Sequence, residues 1–151
     1  MAAGRSASAA IMILGVGTDL LDIRRIERTL ERFAGRFLER VFTLQEQARC
    51  EGHINRCARY AQRYAAKEAC AKALGTGFRQ GVAWRDIEVV VLPSGKPLIR
   101  LQAGALARLA AMTPAGMVAK LDVSLTDEYP LAHAIVLIWA ESATAQPRAI
   151  P

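Results

Sequence analysis

Cysteine and histidine are scarce in this chain. The three cysteines, Cys50, Cys57 and Cys70, are odd in number and have no CxxC spacing. They argue against a disulfide framework and against a zinc knuckle, and they fit a reducing cytoplasm. The two histidines, His53 and His133, lie far apart in sequence, which removes a histidine-built metal site. Aromatic residues make up 6% of the chain. No apolar run is long enough to span a bilayer, and the longest candidate, residues 134–140, has the length of a strand. The opening MAAGRSASAA has no apolar centre of the kind a signal peptide needs. Acidic side chains are the minority, 14 against 20 basic ones, for a net charge of +6. A chain of that sign prefers an acidic partner: nucleic acid, anionic lipid, a phosphorylated cofactor or an acidic protein.

Apolar residues, by contrast, are plentiful. They form 52% of the 151 residues, enough for one domain with a real core. Residues 1–11 read as a disordered extension, 12–140 as the single domain and 141–151 as a loose tail. Residues 11–16 form a short apolar strand that ends in Gly17-Thr18-Asp19. Asp22 can cap the helix that follows, in which Ile23, Ile26, Leu30, Phe33 and Phe37 fall on one core-facing stripe. Thr43 with Glu46 is a capping-box signal for a second helix. An alanine-rich helix covers 55–74. Residues 87–92 and 98–101 flank Pro93-Ser94-Gly95-Lys96-Pro97 and predict a hairpin. A short helix over 103–112 and two strands, 117–125 and 131–139, around a turn at 126–130 complete the chain. Early helices and later strands joined by turns predict an α+β fold, an antiparallel sheet packed with helices.

Two charged features stand out on this frame. RYAAKEACAKALGTG, residues 63–77, places Glu68 and Lys72 four apart on one helical face. Its alanines leave room for close backbone packing, and Gly75 and Gly77 supply a helix end and a turn. Taken alone, such a stretch is an exposed helix with one Glu–Lys pair, worth a few tenths of a kcal/mol. The second feature is the row Arg25, Arg28, Arg32 and Arg36, which spans an arc of about 80° on a continuous helix. It is either a solvated surface, partly neutralised by Glu27 and Glu31, or a binding face. Bidentate arginine–carboxylate bonds would suit an acidic helix. A phosphate backbone is the other candidate, but no nucleic-acid motif or aromatic stacking platform accompanies the row.

Three segments combine: GVGTDLLDIRRIE, YAAKEACAKALGTG, and PSGKP followed by DVSLTDEYPLAHAIVLI. In this order, on so short a chain, they resemble the holo-acyl-carrier-protein synthases, the small stand-alone branch of the 4′-phosphopantetheinyl transferases. The resemblance covers residues 12–140. It implies transfer of the phosphopantetheine arm of coenzyme A to a serine of apo acyl carrier protein, in support of fatty acid biosynthesis, with adenosine 3′,5′-bisphosphate as the other product. It assigns Asp19 and Glu68 to a Mg²⁺ ion, and Glu68 and Lys72 to catalysis. Lys67, Lys72, Gly95, Lys96 and Pro97 would bind coenzyme A, and Arg25, Arg28, Arg32 and Arg36 would dock the acidic carrier protein. It also implies a cytoplasmic homotrimer with active sites between subunits, binding neither membrane nor nucleic acid.

One position departs from the pattern. Asp127 follows Val123-Ser124-Leu125-Thr126 where the family usually has a histidine. Asp127 reads as a turn residue, and His133 lies too far along to be its equivalent. The serine proton is left without an assigned acceptor: Glu68, a metal-bound water or another group could take it. Two other classes of function compete, a basic nucleic-acid-binding module without catalysis and a metal-dependent nucleotide hydrolase using the same carboxylates. The first explains neither Asp19 nor the Lys67-Glu68 pair.

Overall fold

The computed structural model describes residues 10–143. The expected N-terminal extension and C-terminal tail fall largely outside that range. Strand β1 runs over Ile11–Asp22, helix α1 over Ile23–Val41, α2 over Leu44–Glu51 and α3 over Arg56–Ala73. Strands β2 (Ile87–Val91) and β3 (Pro97–Leu101), helix α4 (Ala103–Met112) and strands β4 (Met117–Glu128) and β5 (Leu131–Ser142) follow. The fold is α+β, with an antiparallel three-stranded sheet in the order β1-β5-β4 and a separate β2-β3 hairpin.

The strands are longer than the local apolar runs predict. β1 does not stop before Gly17-Thr18-Asp19, because its pairing with β5 continues to Asp22 opposite Leu131. The same pairing sets Ile11 opposite Glu141, so the ordered sheet passes the expected limits of 12 and 140. β4 and β5 pair up to Glu128 and Leu131, which shrinks the turn to Tyr129-Pro130, joined by a cis peptide. Asp127 is therefore a strand residue opposite Ala132, not a turn residue.

Alternation along β5 sends Ala132, Ala134, Val136, Ile138 and Ala140 into the core, all fully buried. Helix α3 lies across that face and brings its own alanines to the contact; Ala65, Ala66 and Ala69 are fully buried as well. Two glycines of β1 make the approach possible. A Cβ at Gly17 would stand 1.8 Å from the Ala69 carbonyl oxygen, and one at Gly15 would stand 2.0 Å from that of Ala73. The small residues of α3 and β1 thus set its helix backbone directly on the strand.

α1 begins as predicted, with the Asp22 carboxylate accepting from the Arg24 N–H at 2.9 Å. Ile23, Ile26 and Leu30 are buried. The helix then breaks: Phe33 has φ −137° and ψ 19°. That break shifts the phase of the stripe. Leu38 and Val41 become the buried residues of the second half, and Phe33, expected in the core, is 56% exposed. The Thr43–Glu46 capping box is present in full, with Thr43 Oγ1 accepting from the Glu46 N–H at 3.2 Å and Glu46 Oε2 from the Thr43 N–H at 2.9 Å.

Candidate active site

Asp19, Glu68 and Lys72 meet where β1 crosses α3. Asp19 lies three residues before the end of its strand, close to the C-terminal half of the helix. Lys72 Nζ donates to Asp19 Oδ1 at 2.9 Å and to the Thr18 carbonyl at 3.0 Å. Glu68, one turn earlier on α3, is half-buried. Burial raises its pKa above the ordinary carboxylate range, and the Asp19 charge raises it further; Lys72, the Tyr64 hydroxyl and Arg25 pull it back. A carboxylate whose ionisation is opposed by burial and by a neighbouring acid is held in place by the packing of a helix on a strand. Such a pair gains from a cation.

Among the described residues, Asp19 and Glu68 are the two carboxylates assembled here. No group of three or more Asp, Glu, His or Cys suited to a metal occurs among the described residues. The pair still fits a hard divalent cation of the Mg²⁺ kind, which takes one or two protein carboxylates and fills its remaining positions with water and phosphate oxygens. The cysteines offer nothing to such a site. Cys50 and Cys70 are buried free thiols with pKa values pushed up by burial to about 11 and about 12.

Lys67 does not belong to this site. Its side chain is 0% exposed and its ammonium lies 2.8 Å from Glu46 Oε2, itself 0% exposed. It also donates to the carbonyls of Trp84, at 3.1 Å, and Ile87. Glu46 Oε1 accepts the Val89 N–H at 2.9 Å. The expected coenzyme A contact is replaced by a buried strut from α3 to α2 and the β2 strand, because Lys67 points to the face of α3 opposite the solvent.

The hairpin turn stands elsewhere. Gly95 has φ 88°, a left-handed turn conformation that suits glycine. Lys96 Nζ is 3.6 Å from Asp122 Oδ1 on β4, while Asp19 sits on β1 at the opposite edge of the sheet. Within one chain, Gly95, Lys96 and Pro97 are not brought to the acidic pair. Asp127 accepts from Gln62 Nε2, farther back along α3. His133 pairs with the Thr18 hydroxyl at 2.7 Å on the other face of β1.

Arg25 joins the site to the basic face. It is exposed, and its charge acts on both Glu68 and Tyr64. From there Arg28 and Arg32 line an open groove of about 240 Å³ together with Arg25, Thr29 and Phe33. Arg36 lies beyond the break at Phe33 and does not line it, so the row is interrupted rather than continuous. Tyr64, whose hydroxyl bonds Glu68, belongs to no motif. Its place four before Glu68 on a helix was the available signal.

A partly buried acidic pair with a lysine laid on it thus stands at the head of a groove lined by three arginines. The family model of the 4′-phosphopantetheinyl transferase superfamily matches residues 15–134, and the chain belongs to this family. It is 64% identical over 129 residues to the holo-acyl-carrier-protein synthase of Methylobacterium sp. (strain 4-46), covering 85% of this chain and 96% of that one. The synthase of Rhizobium rhizogenes is 57% identical over 129 residues, with 85% and 96% covered. Among solved structures, the holo-acyl-carrier-protein synthase of Neisseria meningitidis has a TM-score of 0.73 at 33% identity, covering 84% of this chain and 98% of that chain. The Helicobacter pylori synthase in complex with coenzyme A has a TM-score of 0.70 at 29% identity, with 82% and 98% covered. Family membership favours a transferase over the nucleic-acid reading of the arginines.

Proposed function

We propose that the protein transfers 4′-phosphopantetheine from coenzyme A to a serine of apo acyl carrier protein, as a cytoplasmic enzyme supporting fatty acid biosynthesis. The observation that carries this reading is the convergence of Asp19, Glu68 and Lys72 at the head of the arginine groove. The serine Oγ attacks the β-phosphorus of the coenzyme A pyrophosphate. The new P–O bond forms as the bond to adenosine 3′,5′-bisphosphate breaks, and the serine proton passes to a base. Asp19 and Glu68 would hold Mg²⁺, which supplies charge neutralisation on the phosphate oxygens. Lys72, about half exposed in its pairing with Asp19, would turn to neutralise the departing phosphate. Arg25, Arg28 and Arg32 draw in the acidic carrier and set its serine against the pyrophosphate; fixing that approach lowers the barrier by positioning alone.

The enzyme acts as a homotrimer with active sites between subunits. Two features support this. The outer face of the sheet is apolar and uncovered, with Val16, Leu20, Ile135 and Leu137 exposed in the single chain. The Gly95-Lys96-Pro97 turn needs a second subunit if it is to reach an acidic pair. The decisive test is the intact mass of apo acyl carrier protein incubated with this enzyme, coenzyme A and Mg²⁺. A gain of one phosphopantetheine, abolished by EDTA and by Glu68→Gln, is expected. No gain with a folded enzyme and a competent carrier would overturn the activity.

A further inference from the structure

We propose that Phe33 is the apolar anchor of the carrier-docking groove, taking an aliphatic side chain from an acidic amphipathic helix; this rests on the docking reading above.

The break in α1 is costly in isolation. It puts non-helical backbone angles at a residue that is neither proline nor glycine, and it leaves a phenyl ring in solvent. Among the described residues, the Arg32 guanidinium lies over the ring, 5.5 Å from its centroid. The consequence is a groove of mixed character: three arginines and Thr29 surround one aromatic ring, and no acid lines it. The phosphate backbone of a duplex would use the arginines and leave the ring idle. An acidic helix uses both. Carboxylates at helical spacing reach Arg25, Arg28 and Arg32, and an aliphatic residue between them covers Phe33. Arginine and aromatic residues packed together are the composition of an interface hot spot.

The apolar contact and the ion pairs respond differently to salt. Burial of the ring is not screened, whereas exposed charge pairs are. Steady-state transfer with apo acyl carrier protein as the varied substrate separates them. Phe33→Ala should raise KM for the carrier about tenfold, and the factor should stay constant from low to high salt. KM for coenzyme A should not move. Phe33→Leu, which keeps an apolar surface, should recover most of the loss. Arg28→Gln should raise the carrier KM by a factor that shrinks as salt rises. An unchanged carrier KM in Phe33→Ala, with Arg28→Gln impaired, overturns the anchor and leaves the docking reading standing. Unchanged KM in both variants, with transfer intact, places the carrier elsewhere and overturns both.

Discussion

Lys67 and Lys72 lie five residues apart on one helix and do opposite things. Lys72 is in solvent over Asp19, where its charge is available to phosphate. Lys67 is sealed among Glu46 and two backbone carbonyls, with the Phe42 ring 5.6 Å away. Burial lowers its pKa, and Glu46 opposes that effect. Removing one partner of such a pair strands the other charge in the core. Lys67→Met should therefore cost about 3–5 kcal/mol in denaturant unfolding. A double variant, Lys67→Met with Glu46→Gln, removes the stranded charge while keeping a side-chain acceptor for the backbone N–H groups that Glu46 serves, and should regain part of that. Equal instability of single and double variants would show that the pair is not the source. Asp22 offers a test of opposite kind at the surface. The Arg24 guanidinium lowers its carboxyl from 3.8 to about 2. A carboxyl depressed on folding contributes stability that is complete above its unfolded pKa and is lost as pH falls through the folded one. The difference in melting temperature between wild type and Asp22→Asn should be constant above 3.8 and vanish towards about 2. A difference that persists at the acid end would deny the charge any role.

At the scale of elements, the signals that could be read were local ones. The Thr43–Glu46 box, the Pro93–Pro97 turn and the alanine spacing of α3 each contain their own cause within a few residues. What escaped depended on partners distant in the chain. Gly17-Thr18-Asp19 looks like the end of a strand until β5 supplies its hydrogen bonds. Lys67 looks like a surface cation until α2 supplies Glu46. Phe33 looks like a core residue until the helix breaks there. The meeting of the two acids was legible because Asp19 and Glu68 sit in compact motifs, whereas Tyr64 has no motif and only a place on the helix. The contact that joins these elements is the seating of α3 on β1. Gly17→Ala would drive a methyl group into the Ala69 carbonyl, so α3 must lift from the strand and carry Glu68 and Lys72 away from Asp19. The expected outcome is a loss of about 1–3 kcal/mol by overpacking, with transfer activity falling more than tenfold. Gly35→Ala is the control. A Cβ there meets nothing within 4 Å, so stability should hold or rise. Equal effects of the two substitutions would remove the close approach as the cause.

For the whole molecule, the sheet poses a question that one chain does not answer. Its inner face is closed by α3, yet its outer face leaves Leu20 61% and Ile135 43% exposed. No described helix is long and apolar enough to cross a membrane, so no such span accounts for the extra apolar surface. The proposed homotrimer would account for it: three copies around an axis would cover each face with its neighbours. If the hairpin of one subunit completes the site of the next, assembly and catalysis must fail together. Ile135→Lys is a direct probe, because the position is a partly exposed strand residue that a lone chain can tolerate. Light scattering should report three protomers for the wild type and one for the variant, with the circular dichroism spectrum retained. Transfer by the variant should drop by at least tenfold, since Asp19 and Glu68 would remain paired while Lys96 is lost from the site. A monomeric wild type with full activity would refute the shared site, and a trimeric, active variant would move the interface off this face.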